Sequence, residues 1–210
     1  MTEKLNLHNN NRTKGEKQRR EERKVRLFIA INFSDEIKEF LGKLVRALRQ
    51  IPADLKWVSE ENLHLTLQFL GEVAPERVDS ISEGIQKAAA GSKPFMLSLT
   101  GVGVFPSVER PRVLWVGVNG DVASLTSLQK KVQREMGLLG FAPDKKKFSA
   151  HLTLARARTP RGFTAVMAKA REFAGKGAFG TARVGSIELM QSELLPGGPR
   201  YSVLSRAIMS

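Results

Sequence analysis

The chain has 210 residues, 41% of them apolar and 26% charged, which is an ordinary balance for a soluble globular protein. It contains no cysteine, which excludes disulfides, thiolate catalysis and cysteine–zinc sites, and no apolar run reaches the roughly 18 residues of a membrane span. Its net charge is +13, and a field of that sign attracts polyanions, nucleic acid first among them. The charged N-terminus lacks the apolar segment of a secretory signal, so we expect a cytoplasmic protein.

The positive charge is spread over two parts of the chain. Residues 1–24 hold eight Lys or Arg against four Glu and almost nothing that could be buried, so they are predicted to form a basic tail that is disordered or contains a short charged helix near Gly15–Lys24. Residues 25–210 carry the rest of the charge and are predicted to fold as a single bilobal domain. Excess lysine could also serve solubility alone, and charge by itself does not separate the two interpretations.

The first half of the predicted domain alternates strands and helices. An apolar strand over Val25–Phe33 is followed by Ser34, a good N-cap, and by a helix whose apolar residues recur at helical spacing from Ile37 to Leu48. The pattern then predicts a strand over Leu63–Phe69, a helix from Pro75 to Gly91, and a strand over Phe95–Phe105.

The second half repeats this order, and Arg112 and His151 are almost as far apart along the chain as Arg26 and His64. Such a repeat predicts an α+β fold in which two antiparallel sheets, with outer helices, form similar lobes around a central cleft. The predicted elements are strands over Arg112–Val118, Phe148–Ala155, Arg183–Met190 and Tyr201–Ile208, helices after Asp121 and over Phe163–Phe173, and turns at Asn119-Gly120 and Pro196–Pro199.

One tetrapeptide, His-Leu-Thr-Leu, occurs once in each half, at His64–Leu67 and at His151–Leu154. The third histidine of the chain, His8, lies in the predicted tail. Side chains alternate between the two faces of a strand, so each copy presents one imidazole and one hydroxyl on a common face and leucines on the other. Two such faces brought together would form a pair of proton-transfer groups flanked by two hydroxyl donors.

Two imidazoles and two hydroxyls are the groups needed to cleave a phosphoester without a metal. Histidine titrates at about pH 6.5 when unperturbed, so one ring can take a proton from water while the other gives one to the departing oxygen. The hydroxyls of Thr66 and Thr153 can donate to nonbridging phosphate oxygens. Arg156 lies at an odd offset from His151, so it needs a strand end or a bulge to reach the phosphate. The basic run Lys145–Lys147 could attract substrate.

Less specific interpretations compete with each of these features. One histidine on an apolar strand is usually a core residue with satisfied hydrogen bonds, whereas two equally spaced copies in a repeated order are a stronger signal. A metal site is disfavoured because the chain has no H-E-x-x-H motif and no cysteine. Gly101-Val102-Gly103 lacks the third glycine of a nucleotide-binding fingerprint and predicts a bend or bulge. We therefore expect neither a metal nor a cofactor.

At these residues the chain resembles the two-histidine (2H) phosphoesterases, and among them the bacterial and archaeal RNA 2',3'-cyclic phosphodiesterases, long called 2'-5' RNA ligases. The paired HxTx motifs carry the resemblance, which extends from about Arg26 to Ser205. It implies a bilobal fold with a basic central cleft, no metal requirement, and hydrolysis of a 2',3'-cyclic phosphate to a 2'-phosphomonoester. The matching segments are RLFIAINF, WVSEENLHLTLQFLGEV, GVGVFP, PRVLWVGV, GFAPDKKKFSAHLTLARAR and SELLPGGPRYSVL.

The resemblance also implies roles for individual residues. His64 and Thr66 match the first motif, and His151 and Thr153 match the second. His151 would be the general base towards water and His64 the general acid towards the 3'-oxygen, although a pseudo-symmetric site could run either way. Arg156 matches the basic residue that follows the second motif and would bind phosphate.

Two further positions bear on the resemblance. Phe69 matches an aromatic residue after the first motif that could stack on a base, and its interpretation as a core residue is about equally good. Ala150 stands where family members commonly have a proline, which leaves the backbone before the second histidine less restrained and the chemistry untouched.

The expected partner is RNA with 2',3'-cyclic phosphate ends, tRNA fragments among them, bound by a monomer that contacts no membrane. Two other functions are compatible with the sequence. One is the reverse reaction, which joins a cyclic phosphate end to a 5'-hydroxyl through a 2'-5' link. The other is an RNA-binding module without turnover, and the paired motifs count against it because a binding module needs neither an acid nor a base.

Overall fold

The computed structural model of the protein describes residues 24–144 and 147–210. The predicted tail over residues 1–24 lies outside the described residues, except for Lys24, and so do Lys145 and Lys146 of the predicted basic run. The strands are β1 (Val25–Asn32), β2 (Leu55–Trp57), β3 (His64–Val73), β4 (Phe95–Pro106), β5 (Pro111–Gly120), β6 (His151–Ala157), β7 (Gly180–Val184), β8 (Ser186–Leu195) and β9 (Gly198–Ile208). The α-helices are α1 (Asp35–Arg49), α2 (Val78–Ala89), α3 (Val122–Leu138) and α4 (Phe163–Ala174).

The strands form one antiparallel sheet in the order β7-β4-β5-β6-β3-β1-β8-β9, with β2 paired to β6. At its centre, β3 and β6 pair at a single position, Leu65 opposite Leu152. The two predicted sheets are therefore two half-sheets joined at this pair: a first half-sheet (β3-β1-β8-β9) and a second half-sheet (β7-β4-β5-β6). The predicted α+β class with a repeated order of elements is confirmed.

Each half-sheet contains chain from both halves of the sequence. Strand β4, from the first half, pairs with β5 and β7, while β8, from the second half, pairs with β1 and β9. The helices follow the same exchange, because α2 packs with α3 and α1 packs with α4. The repeat in the sequence thus corresponds to two interlocked lobes. Each lobe contains strands from both halves of the chain, and the cleft lies between the two lobes.

Apolar periodicity accounts for the core between the half-sheets and the helices. In α1 the buried residues recur at Ile37, Leu41, Leu44 and Leu48, and they pack into a core cluster shared with both half-sheets. Helix α3 begins as predicted, because Oδ1 of Asp121 accepts a hydrogen bond from the Ser124 amide at 2.9 Å. Ser34 occupies the N-cap position of α1, but its side chain makes no capping hydrogen bond.

Several predicted boundaries were wrong. The predicted strand over Arg183–Met190 is two strands, β7 and β8, separated at Gly185, and β6 begins at His151 instead of Phe148. The short strand β2 was missed because three residues carry no readable alternation. The bulge expected near Gly101 is confirmed, since the register of β4 against β5 shifts there and Gly101 has a φ of 68°.

Candidate active site

The single pairing of β3 with β6 brings the two HxT motifs together. Leu65 and Leu152 point into the core and are fully buried, so their neighbours in each motif face the opposite side of the sheet. There, a cleft of about 950 Å³ runs between the half-sheets. The structure brings all four predicted residues into its lining, namely His64, Thr66, His151 and Thr153.

Both imidazoles are held by the same type of contact. Nδ1 of His64 lies 2.7 Å from the carbonyl oxygen of Asn62, and Nδ1 of His151 lies 2.7 Å from that of Ser149. A carbonyl oxygen can only accept, so Nδ1 carries the hydrogen in each ring and Nε2 is unprotonated when the ring is neutral. The hydroxyl of Thr66 donates to Nε2 of His64 at 3.0 Å. Each neutral ring is therefore prepared to act as a base at Nε2.

Asn62 links the first of these contacts to the rest of the fold. Its buried side-chain amide donates to Ser59 Oγ at 2.9 Å and to the carbonyl oxygen of Pro199 at 2.8 Å. The carbonyl that orients His64 is thus tied to the start of β9. Sequence reasoning missed this residue, because a buried asparagine carries no periodic signal.

Burial makes both rings weak bases in the free protein. His64 packs against Phe28, with ring centroids 4.9 Å apart, and edge-on against Tyr201 at 5.3 Å. Desolvation lowers the pKa of His64 to about 4, and the hydrogen bond to the Asn62 carbonyl opposes this shift only in part. Desolvation also lowers the pKa of His151, and the Arg156 guanidinium adds to that effect. Both rings are consequently neutral at pH 7 before substrate binds.

Two β-bulges decide which later residues reach the cleft. Against β1, Thr66 pairs with Ala30 while Gln68 pairs with Ile29, which leaves Leu67 as an extra residue in β3. Against β5, β6 has the same irregularity one residue after Thr153. Each bulge shifts the alternation by one residue and turns the side chains that follow towards the opposite face.

Phe69 and Arg156 occupy equivalent positions after these bulges, and both line the cleft. The bulge that the sequence required for Arg156 to reach the phosphate is therefore present. The interpretation of Phe69 as a core residue was wrong, since 56% of its surface is exposed. One strand thus contributes an aromatic ring to the cleft and the other a guanidinium.

The cleft is basic, as the resemblance implies, but most of its cations are not the ones that the sequence analysis singled out. Besides Arg156, its lining includes Arg26, Lys56 and Arg200, and Glu61 is the one acidic residue among the described lining residues. Arg26 could have been found by extending the alternation of β1 outward from Phe28. Lys147 is exposed and does not belong to the lining of the cleft.

Residues 24–144 and 147–210 contain neither a cluster of metal-binding side chains nor a helix suited to span a membrane. No three His, Asp or Glu side chains in these ranges are grouped so that they could bind a metal ion together. No helix there combines the length and the apolar character needed to cross a membrane.

The geometry agrees with comparisons to known proteins. The sequence model of the LigT-like phosphoesterase family matches the chain twice, over residues 31–115 and 116–201. An Archaeoglobus fulgidus RNA 2',3'-cyclic phosphodiesterase is 38% identical over 180 residues, which cover 86% of this chain and 98% of that protein. The Aeropyrum pernix enzyme of the same name is 37% identical over 164 residues, covering 78% and 92%.

Solved structures share the fold over nearly their full length. A Thermus thermophilus protein superposes with a TM-score of 0.69 at 29% identity, covering 88% of this chain and 97% of its own. E. coli LigT in complex with 3'-AMP superposes with a TM-score of 0.68 at 26% identity, covering 89% and 99%. The two family matches meet at residues 115 and 116, within β5 and close to the start of the second repeat.

Proposed function

Because the chain belongs to the LigT-like phosphoesterase family, we propose that it is an RNA 2',3'-cyclic phosphodiesterase that opens the cyclic phosphate to a 2'-phosphomonoester. The observation that carries this proposal is a pair of histidines, each anchored through Nδ1 and unprotonated at Nε2 when neutral, in one basic cleft. The proposed partner is RNA with 2',3'-cyclic phosphate ends, tRNA fragments among them. The chain is proposed to act as a monomer.

In the proposed reaction, His151 takes a proton from water as the water oxygen attacks phosphorus. The bond between phosphorus and the 3'-oxygen breaks, and His64 gives its proton to that oxygen, which leaves a 2'-phosphate and a 3'-hydroxyl. Each proton transfer contributes about 10²–10⁴-fold to the rate. His151 is the less enclosed ring, which supports its assignment to water, whereas the enclosed position of His64 suits a leaving oxygen shielded from solvent.

The acid role of His64 requires substrate to change its protonation. A phosphate anion beside the ring favours the imidazolium and so raises the depressed pKa. Once protonated, Nε2 of His64 carries the hydrogen that the 3'-oxygen receives, and it can no longer accept a hydrogen bond from Thr66. The Thr66 hydroxyl hydrogen is then released to donate to a nonbridging phosphate oxygen. Protonation of the acid and binding of the phosphate are therefore coupled through one hydroxyl.

The second motif supplies the remaining proposed phosphate contacts. Thr153 faces the cleft from β6, and its hydroxyl can donate to the other nonbridging oxygen. A single donor of this kind is worth about 10²–10³-fold when it is aimed at charge that develops in the transition state. The guanidinium of Arg156 can add a bidentate, charge-assisted contact.

The test is to incubate the purified full chain, in EDTA, with an oligonucleotide that ends in a 2',3'-cyclic phosphate. We expect a 2'-phosphomonoester from the wild-type protein and losses of at least about 10²-fold from His64→Ala and from His151→Ala. His8→Ala removes the remaining histidine of the chain and serves as the matched control, with unchanged turnover expected. Full activity of the His64→Ala, His151→Ala double variant would contradict the mechanism, and binding without turnover would identify an RNA-binding module instead.

A further inference from the structure

The cleft extends beyond the HxT motifs along the first half-sheet. Its lining there includes Arg26 on β1, Ser192 on β8 and Tyr201 on β9. These residues are cross-strand neighbours, because Arg26 pairs with Ser192 and Ser192 pairs with Tyr201. They place a guanidinium, an aliphatic hydroxyl and a phenol side by side across three strands. We call these three residues the donor row.

The donor row lies at a defined position relative to the candidate catalytic residues. On β1, Phe28 is two residues further in than Arg26 on the same face, and it pairs with Phe69 on β3. At about 3.4 Å per residue, Arg26 lies roughly 7 Å further along β1 than Phe28, whereas the ring of Tyr201 packs against both Phe28 and His64. Moving outward along β1, the cleft therefore presents imidazoles with hydroxyls, then aromatic rings that include those of Phe69 and Tyr201, then the Arg26 guanidinium.

Arg26 lies opposite Glu72 in the β1–β3 pair, but its guanidinium forms no ion pair with that carboxylate. Among the ion pairs formed by the described residues, none involves Arg26, whereas the nearby Arg200 binds Glu193 at 2.7 Å. The guanidinium groups of both Arg156 and Arg26 act to lower the pKa of Tyr201, against the larger raising effect of its burial. The phenol of Tyr201 thus lies in the field of two cations, one beside the candidate catalytic residues and one in the donor row.

We propose that the donor row binds the phosphodiester on the 5' side of the terminal nucleotide, while Phe69 stacks on the terminal base. Phosphate, base and phosphate follow one another along an RNA strand in the same order as the groups that line this cleft. The inference rests on the proposed function and names its substrate class. The substrate is the end of a polynucleotide, and a nucleoside 2',3'-cyclic phosphate uses only part of the site.

The test compares two substrates that differ by the upstream phosphodiester: adenosine 2',3'-cyclic phosphate, and the dinucleotide ApA that ends in a 2',3'-cyclic phosphate. For the full chain, the ratio of kcat/KM for the dinucleotide to kcat/KM for the mononucleotide is measured. We expect Arg26→Gln to lower this ratio about tenfold, the size of one charge-assisted phosphate contact, and Arg26→Lys to lower it less. Arg183→Gln, which removes an exposed charge from β7 at the far edge of the sheet, should leave the ratio unchanged.

The outcomes separate the subsite from the proposed function. If the wild-type protein turns over both substrates and Arg26→Gln keeps the wild-type ratio, the subsite is overturned and the phosphodiesterase activity stands. If the wild-type protein turns over neither substrate, the proposed function fails and the subsite with it. Circular dichroism checks the fold of each variant, and Ser192→Ala, which removes a smaller donor from the same row, decides the question if Arg26→Gln does not fold.

Discussion

Replacing His64 with asparagine should remove a pH-dependent part of the stability of this protein. The pKa of His64 is about 4 in the folded protein, while an unperturbed histidine titrates at 6.5. Between these values the unfolded chain binds a proton at this position and the folded chain does not. Wild-type stability therefore falls as the pH falls through this window. Asparagine cannot titrate, so the variant lacks this contribution.

The magnitude follows from the width of the window. A shift from 6.5 to about 4, at about 1.4 kcal/mol per pH unit, is equivalent to about 3 kcal/mol of unfolding free energy. At pH 7 the variant should be the less stable protein, because asparagine loses the packing of the ring against Phe28 and Tyr201. Acidification should then reduce the difference in unfolding free energy between wild type and variant by about 3 kcal/mol, because the other titrating groups are common to both proteins.

Urea denaturation of both proteins at a series of pH values from neutral to about 4 measures the gap directly. His151→Asn provides a second test. Its difference in unfolding free energy from wild type should also decrease on acidification, because burial lowers the pKa of His151 as well. A gap between wild type and His64→Asn that stays constant across the series would refute the reasoning. His64 would then titrate at the same pH in the folded and unfolded chains, and its ring would not be desolvated.

Three further predictions concern activity and packing. Burial lowers both histidine pKa values in the free protein, which governs kcat/KM, whereas bound phosphate stabilises the imidazolium in the complex, which governs kcat. The pH optimum of kcat/KM should therefore lie below the pH optimum of kcat, and coincident optima would contradict this. Arg156→Gln should lower kcat/KM for a cyclic phosphate end by about tenfold or more, and Arg112→Gln, exposed and outside the cleft lining, should not. Gly103→Ala should lower the free energy of unfolding by about 1–3 kcal/mol, measured by thermal denaturation, because the added Cβ would overlap the Trp115 ring. An unchanged Tm would mean that the ring can move aside.

The sequence was sufficient for the features that depend on local periodicity. Alternation within each His-Leu-Thr-Leu copy predicts which side chains share a face, and the buried leucines at 65 and 152 agree with it. The repeated order of elements predicts two lobes, and the small number of histidines draws attention to one pair. These signals are readable because each depends on residues only a few positions apart.

Sequence reasoning could not predict which strands would pair. The exchange of β4 and β8 between the half-sheets depends on contacts between residues far apart in the chain, and apolar strands of similar composition offer no local preference for one partner. The donor row is a consequence of that exchange, since Ser192 and Tyr201 reach the cleft only because β8 and β9 extend the first half-sheet.

The amino-acid sequence by itself determined the two motifs, the class of fold and the basic charge, because these are properties of composition and short-range spacing. Only the tertiary structure decided that Phe69 and Arg156 face the cleft, since a bulge is defined by the register between two strands. It also decided that both rings are neutral in the free protein. The pKa of an imidazole depends on how much water and charge surround it, and those surroundings exist only once the lobes have packed together.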